Sequence, residues 1–319
     1  MASLFRIVIG LVLRLGALTG LIATGVAGYA AYSINSKRKR DLIDDYFITP
    51  YELKVPHRDI EFQSDDGLNL KGWLFENSDS DRLLIGLTGR RVGKDSLIGI
   101  GTGLWRSGYN VLVFDFRGRG ESDDGPQSIG HREMADVLAA LRFARKRFPQ
   151  YRLALFGFSM GANLAIRATA KDPAILAAMA DSPFTSIADV MGDVFARMRL
   201  PAAPIVWLAR KINQLLYGYD FGADSAGEAV AYIAPRPLLI IHGAEDSTTP
   251  AHMAATLQAS AGPSCELWVE PGAEHCGVYF MNRERYVRRV AEFFDRAFAD
   301  EVTGSHANQS IDKQSPAES

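Results

Sequence analysis

The sequence predicts an α/β protein built on a doubly wound, mostly parallel sheet, and three observations carry that prediction. From residue 82 onward, apolar runs of strand length alternate with stretches of helical periodicity. Ahead of them, 58–63 and 68–75 read as two strands around Asp65-Asp66-Gly67, a strong short-range signal for an antiparallel hairpin. Between a later apolar run and a helix stands Gly157-Phe158-Ser159-Met160-Gly161, the setting of a nucleophile elbow.

The chain has 319 residues, 47% of them hydrophobic, enough for one sizeable α/β domain with attachments. A net charge of -2 with scattered basic residues gives no electrostatic case for nucleic acid. Two cysteines, Cys265 and Cys276, are too few for a disulfide framework or a structural zinc site. Cys265 starts a strand and Cys276 lies beyond its far end, so they are expected to be free thiols.

The N-terminus stands out in composition. Leu15 to Ile34 is a run of twenty residues without a charge, about one bilayer crossing. It ends in Lys37-Arg38-Lys39-Arg40 where a signal peptide would carry a small-residue cleavage site, so an uncleaved single-pass membrane anchor over 1–36 is expected. Gly16, Gly20, Thr24 and Gly28 recur every four residues and would let two anchors pack as a homodimer. The basic cluster places the catalytic domain on the cytoplasmic side, although Arg6 and Arg14 argue the other way.

Residues 37–56 read as a linker and 57–301 as the catalytic domain. Within it, 82–88 and 110–115 are continuous apolar runs typical of buried strands, with a helix over 95–106 between them. A helix over 129–148 follows from Met134, Val137, Leu138, Leu141, Ala144 and Phe148, closed by Pro149. Next come the elbow strand, its helix and the strand 176–180. The alternation stalls over 183–233, read as a small helical cap, with a pair of core helices as the alternative. It resumes with strands at 236–242 and 265–270 and helices over 251–260 and 283–298, and the polar stretch 302–319 is expected to be a disordered tail.

A serine hydroxyl needs an adjacent base to act as a nucleophile at neutral pH, usually a histidine oriented by a carboxylate. In an open parallel sheet these groups come from loops at the carboxyl ends of strands. Asp246 follows the 236–242 strand, and His275 follows the 265–270 strand in the Gly-flanked loop 271–277. Ser159, Asp246 and His275 therefore occur in the chain order of an α/β-hydrolase triad. Glu245 and Glu274 are neighbouring carboxylates, and Asp246 is preferred to Glu245 because it sits further out on its loop. Among the other histidines, His57, His131 and His306 lie in polar surroundings, His252 begins a helix, and His242 suits a structural hydrogen bond at a strand end. The oxyanion hole calls for two backbone N–H groups, those of Met160 and of Arg90 in the loop after the 82–88 strand, with Arg91 as the near alternative.

The stretches 113–122, 157–161, 181–184, 241–246 and 272–275 together resemble serine hydrolases of the α/β-hydrolase superfamily, in particular its membrane-anchored, esterase-like members. The resemblance covers 57–299. It implies the same three site residues, Ser159 as nucleophile, Asp246 as acid and His275 as base, and no metal or organic cofactor. Relatives usually have His-Gly where this chain has Thr88-Gly89, which puts the oxyanion loop in question, and the Arg117 to Gly120 loop is structural in the family. The expected activity is cleavage of a carboxylic ester or thioester, with a lipid-like or acylated substrate suggested by the anchor and cap. A serine oligopeptidase of the same fold, or a catalytically silent membrane scaffold, is the alternative. The oligopeptidase is expected to need an additional large domain for which this chain has no room.

Overall fold

The computed structural model describes residues 20–36 and 48–311 of the chain. They fall into two compact units, Lys37–Thr185 with Asp224–Ser319, and Met1–Ser36 with Ser186–Ala223.

The larger unit contains one eight-stranded sheet: β1 (Arg58–Gln63), β2 (Asn69–Phe75), β3 (Arg82–Leu87), β4 (Asn110–Phe114), β5 (Arg152–Phe158), β6 (Ile175–Asp181), β7 (Leu238–Gly243) and β8 (Cys265–Glu270). Their spatial order is β1-β2-β4-β3-β5-β6-β7-β8. β1 and β2 form the antiparallel hairpin the Asp65-Asp66-Gly67 turn predicts, β2 runs antiparallel to β4, and the remaining pairs are parallel. The central strands are buried along their length, which is why they read as unbroken apolar runs.

Helices α2 (Ile98–Arg106) and α10 (Arg283–Ile311) share one core cluster with Trp73, Leu84, Val113 and Ile241. Helices α3 (Glu133–Arg147) and α4 (Met160–Lys171) share a second with Leu83, Ile85, Leu112 and Leu155. Alternate residues of β3 and β4 thus feed opposite cores, as period-2 geometry requires. α10 presents Tyr286, Val290, Phe293, Phe294 and Ala297 inward, a one-face helical spacing. Its backbone continues to Ile311, into the stretch expected to be a disordered tail. α3 begins at Glu133 rather than at 129, because the Glu133 carboxylate accepts the amides of Ser128 and Gly130 and so closes the preceding turn.

Buried ion pairs fasten the loops at the carboxyl edge. Arg117, after β4, is clamped between Asp136 of α3 and Asp66 of the hairpin turn, its guanidinium donating at 2.7 Å to each. Lys94 is 2% exposed, donates to Asp115 at 2.6 Å and to Glu121 at 2.5 Å, and lies 4.7 Å from the centre of the Trp73 ring. The structural role expected for the Arg117 loop is what the geometry shows.

In the smaller unit, α1 (residues 20–35) precedes α5 (Ile187–Arg197) and α6 (Ala202–Tyr217). Ser186 caps α5 by accepting the Asp189 amide. Pro204 sits in the first turn of α6, where its missing N–H costs nothing, and Gly218, at φ 79°, ends that helix. Asn213 is fully buried, donating to the Tyr219 carbonyl and accepting from Asn35 at the end of α1, while the Tyr219 hydroxyl donates to Asn35.

These contacts correct the single-pass membrane localisation and its cytoplasmic orientation. Residues 1–19 of the expected anchor lie outside the described residues. Among the described residues, no helix is long and apolar enough to cross a membrane. α1 buries Ala27, Ala30, Ala31 and Ile34, spaced i, i+3, i+4, i+7 as on a packed helix of a folded protein. Among the described residues, nothing lies within 4 Å of a side chain added at Gly20 or Gly28. The uncharged run was long enough to span a bilayer, but within it Ala27, Ala30, Ala31 and Ile34 are buried in a protein contact. The linker expected over 37–56 is described only from 48, where Lys54 and Val55 close a turn onto Tyr51 and Pro50.

Two stability predictions follow from buried polar pairing. Arg117→Ala leaves Asp136 as an uncompensated buried charge and is expected to lower unfolding free energy in urea by about 3–5 kcal/mol. Asn213→Ala strips partners from Asn35 and Tyr219, so limited proteolysis of residues 20–36 should run faster than in the wild type while cleavage within the sheet unit is unchanged.

Candidate active site

β3 and β5 lie side by side in the sheet, yet β3 leads to α2 on one face and β5 to α4 on the other. Their carboxyl ends therefore open a crevice at a switch point, where ligands of open α/β sheets bind. Ser159 stands there, between β5 and α4, with φ 53° and ψ -116°. The two elbow glycines are required by contact. A Cβ on Gly157 would run into the Gly161 carbonyl, and one on Gly161 would run into the Leu87 carbonyl. Left-handed backbone at a non-glycine residue persists only where the surroundings over-determine it. Here the Ser159 amide is tied to the Asp181 carbonyl at 2.8 Å.

The structure brings the three residues singled out from sequence into one line. Ser159 Oγ is 2.9 Å from His275 Nε2, and His275 Nδ1 is 2.7 Å from Asp246 Oδ2. With Asp246 as acceptor, Nδ1 carries the proton and Nε2 is free to accept the serine hydroxyl. The Asp246 side chain is fully buried and that of His275 is 23% exposed, so the carboxylate is sheltered while the imidazole reaches solvent.

Burial opposes ionisation of Asp246, but hydrogen bonds from His242, His275 and the Thr249 amide outweigh it and hold the carboxyl well below the usual carboxylate range. Asp246 Oδ1 also accepts the Thr248 amide at 2.9 Å, and the Thr249 hydroxyl donates to Oδ2 at 2.9 Å. His242 is buried, with Nε2 2.6 Å from the Thr249 carbonyl and 3.3 Å from Asp246, in keeping with the structural role read from its strand-end position. Glu245 is exposed on the same loop. Asp246 is thus the residue at the histidine, though the reason is that it turns inward and not that it stands further out. Glu274 is exposed.

On the opposite wall, Thr88 is buried and Gly89 lies against the elbow, where a Cβ would come within 3.6 Å of Ser159 Cβ. Arg90 and Arg91 form the turn that follows, Arg91 at φ 65°. Met160 opens α4, so its amide is one of the helix N-terminal donors that point out of the helix end. Both amides expected to form the oxyanion hole therefore belong to segments that border Ser159.

Sequence reasoning gave Thr249 no role. α8 (His252–Ala261) has no side-chain cap, and Thr249 spends its hydroxyl on Asp246 instead, 3.2 Å from His275 Nδ1. It also left Asp181 and Tyr286 without roles, although both are buried beneath the serine and linked at 2.6 Å. A polar residue at the end of an otherwise apolar strand was the available signal. Cys265 and Cys276 are free thiols as expected. Among the described residues no cluster of metal-ligating side chains occurs.

Since the folded chain holds Asp246 below its unfolded value of about 3.9, its ionised form stabilises the fold above about pH 4, and that contribution is lost as pH falls. In urea unfolding, the stability gap between wild type and Asp246→Asn should narrow on acidification from about pH 6 to about pH 3. A gap that stays constant with pH contradicts the assignment.

Residues 102–301 match the family model described as the prolyl oligopeptidase family. An uncharacterized protein, YfhR of Escherichia coli O157:H7, is 29% identical over 231 residues, spanning 69% of this chain and 74% of that protein. Among solved structures, the Pyrococcus furiosus esterase Pf2001 aligns with a TM-score of 0.67 at 27% identity, over 82% of this chain and 97% of that one. GrgF, an alpha/beta hydrolase from Penicillium sp. sh18, aligns with a TM-score of 0.62 at 22% identity, over 77% and 100%, and shares the fold. With the sheet order, the elbow and the family match in agreement, the chain belongs to the prolyl oligopeptidase family and has the α/β-hydrolase fold.

Proposed function

We propose that the protein hydrolyses carboxylic esters or thioesters through an acyl-enzyme on Ser159. The observation that carries this is the continuous hydrogen-bonded line from Ser159 Oγ through His275 to the buried Asp246 carboxylate. The likeness to the Pyrococcus furiosus esterase along nearly its whole length supports ester chemistry over peptide chemistry. The enzyme is accordingly a hydrolase acting on ester bonds.

In the proposed mechanism, His275 Nε2 removes the hydroxyl proton as Ser159 Oγ attacks the carbonyl carbon. Asp246 holds the imidazole by Nδ1–H and stabilises the imidazolium that forms. The Met160 amide and that of Arg90, or of Arg91 beside it, receive the oxyanion. Collapse of the tetrahedral intermediate expels the alcohol or thiol, which takes its proton from His275. Water then attacks the acyl-enzyme with His275 again as base, releasing the acid and restoring the serine. Val92, beyond β3, is 39% exposed and lies beside Gly89 against the elbow, an apolar surface that supports a lipid-like acyl group without drawing on a membrane anchor.

Wild type should react with a fluorophosphonate probe, and Ser159→Ala should neither label nor turn over, with kcat reduced by at least ~10³-fold. Equal labelling of the two proteins eliminates the serine mechanism. Turnover of p-nitrophenyl esters is expected to rise from acetate towards octanoate, and a preference for acetate rules out the lipid-like substrate. A peptide p-nitroanilide cleaved faster than the esters would favour the oligopeptidase alternative.

A further inference from the structure

Asp181, the last residue of β6, is completely buried beneath the triad, and the acyl-transfer mechanism gives it nothing to do. Its Oδ2 accepts the Tyr286 hydroxyl of α10 at 2.6 Å, and its Oδ1 accepts the Ser182 hydroxyl at 2.9 Å. Its backbone carbonyl accepts the Ser159 amide at 2.8 Å. Ser182 Oγ accepts the amide of Cys276, the residue after His275, at 2.9 Å, and the Ser182 amide donates to the Ile241 carbonyl of β7 at 2.8 Å. Two consecutive residues thus hold the elbow from below and the histidine loop from the side. The residues they join are strained alike: Ser159 has φ 53°, Ser182 53° and Cys276 54°. Non-glycine residues keep such angles only where several contacts impose them.

We propose that Asp181 and Ser182 form a positioning clamp that registers Ser159 against His275, and that the clamp requires Asp181 to be ionised. This rests on the serine-hydrolase mechanism above. An ionised carboxylate only accepts, so it takes both hydroxyl protons without conflict. With the Ser182 O–H aimed at Asp181, the Oγ lone pairs are left for the Cys276 amide. A proton on Asp181 makes one carboxyl oxygen a donor, so the Ser182 and Tyr286 hydroxyls can no longer both donate to it; the Ser182 hydroxyl loses its fixed orientation and the link to the His275 loop loosens.

The surroundings allow this proton to bind in a working pH range. Burial is the largest influence and pushes the Asp181 carboxyl up to about 6, against the pull of the Tyr286 and Ser182 hydroxyls and of His242 and His275. Tyr286 and Cys276 beside it stay in their donor forms. Burial, then the Asp181 charge, push the Tyr286 hydroxyl well above its usual value, and the same two influences do so for the Cys276 thiol. Asp181 is therefore charged above about pH 6 and neutral below it, so the clamp is engaged on the alkaline side and released on the acid side.

The test uses the full chain, a pH-stat assay with p-nitrophenyl butyrate, fluorophosphonate labelling and the thermal midpoint as a control on folding. Wild type should lose kcat/KM at low pH with a two-proton dependence, of which Asp181 supplies one proton. Asp181→Asn should show a one-proton limb and a kcat about 10- to 100-fold lower with KM little changed, as expected for misregistered reacting groups. Ser182→Ala, which keeps the carboxylate and cuts the link to Cys276, should do the same and carries the test if Asp181→Asn fails to fold. A one-proton limb in wild type, or a Ser182→Ala variant that keeps wild-type kcat and a two-proton limb, overturns the clamp while labelling of Ser159 leaves the serine mechanism standing. Failure of wild type to label removes both.

Discussion

The structure turns on the close approach of β5, its elbow and β3. Gly161 presses against the Leu87 carbonyl and Gly157 against Gly161, leaving no room for a single added carbon at either place. That contact forces Ser159 into a left-handed backbone and stands its hydroxyl at the sheet edge. It also brings Gly89 against the serine, so the turn with Arg90 and Arg91 becomes the second wall of the site. A looser elbow would separate the Ser159 hydroxyl from both walls.

Strain of this kind is retained only by a rigid frame, and the frame here is largely polar. Arg91, Ser159, Ser182 and Cys276, all with positive φ, sit in loops that follow four different strands of the same sheet. Beside them Lys94 with Asp115, and Arg117 with Asp136, are buried ion pairs whose separation would leave charges without water. These pairs anchor loops that apolar packing alone would not orient, because hydrophobic contact has no preferred direction. The same directional bonds then set Asp246, which accepts from two amides and a hydroxyl before it meets His275.

Much of this was legible in sequence, where local physics decides. Strands buried on both faces need continuous apolar runs, so β3, β4, β6 and β7 were visible without a partner in view. The hairpin followed from Asp65-Asp66-Gly67. Ser159, Asp246 and His275 were visible because topology restricts such groups to strand ends. The start of α3 was missed because Glu133 reaches back to Ser128 and Gly130, a closure that periodicity does not register. The membrane span was misassigned for a related reason. The buried face of α1 is that of Ala27, Ala30, Ala31 and Ile34, and an uncharged run with this helical spacing reads alike for a span and for a packed helix.

By itself the sequence determined the α/β class, the order of the elements, the elbow and the three candidate site residues that the structure brings together, since each depends on residue type, spacing or position along a strand. Tertiary structure alone decided which carboxylate of Glu245 and Asp246 turns inward, that Thr249 serves Asp246 instead of a helix end, and that Asp181 lies under the serine. It also decided that α1 packs as a helix of a folded unit, with Asn35 bonded to Asn213 and Tyr219. Those outcomes depend on bonds between residues far apart in the chain, and whether a polar atom finds such a partner is settled only when the elements have met.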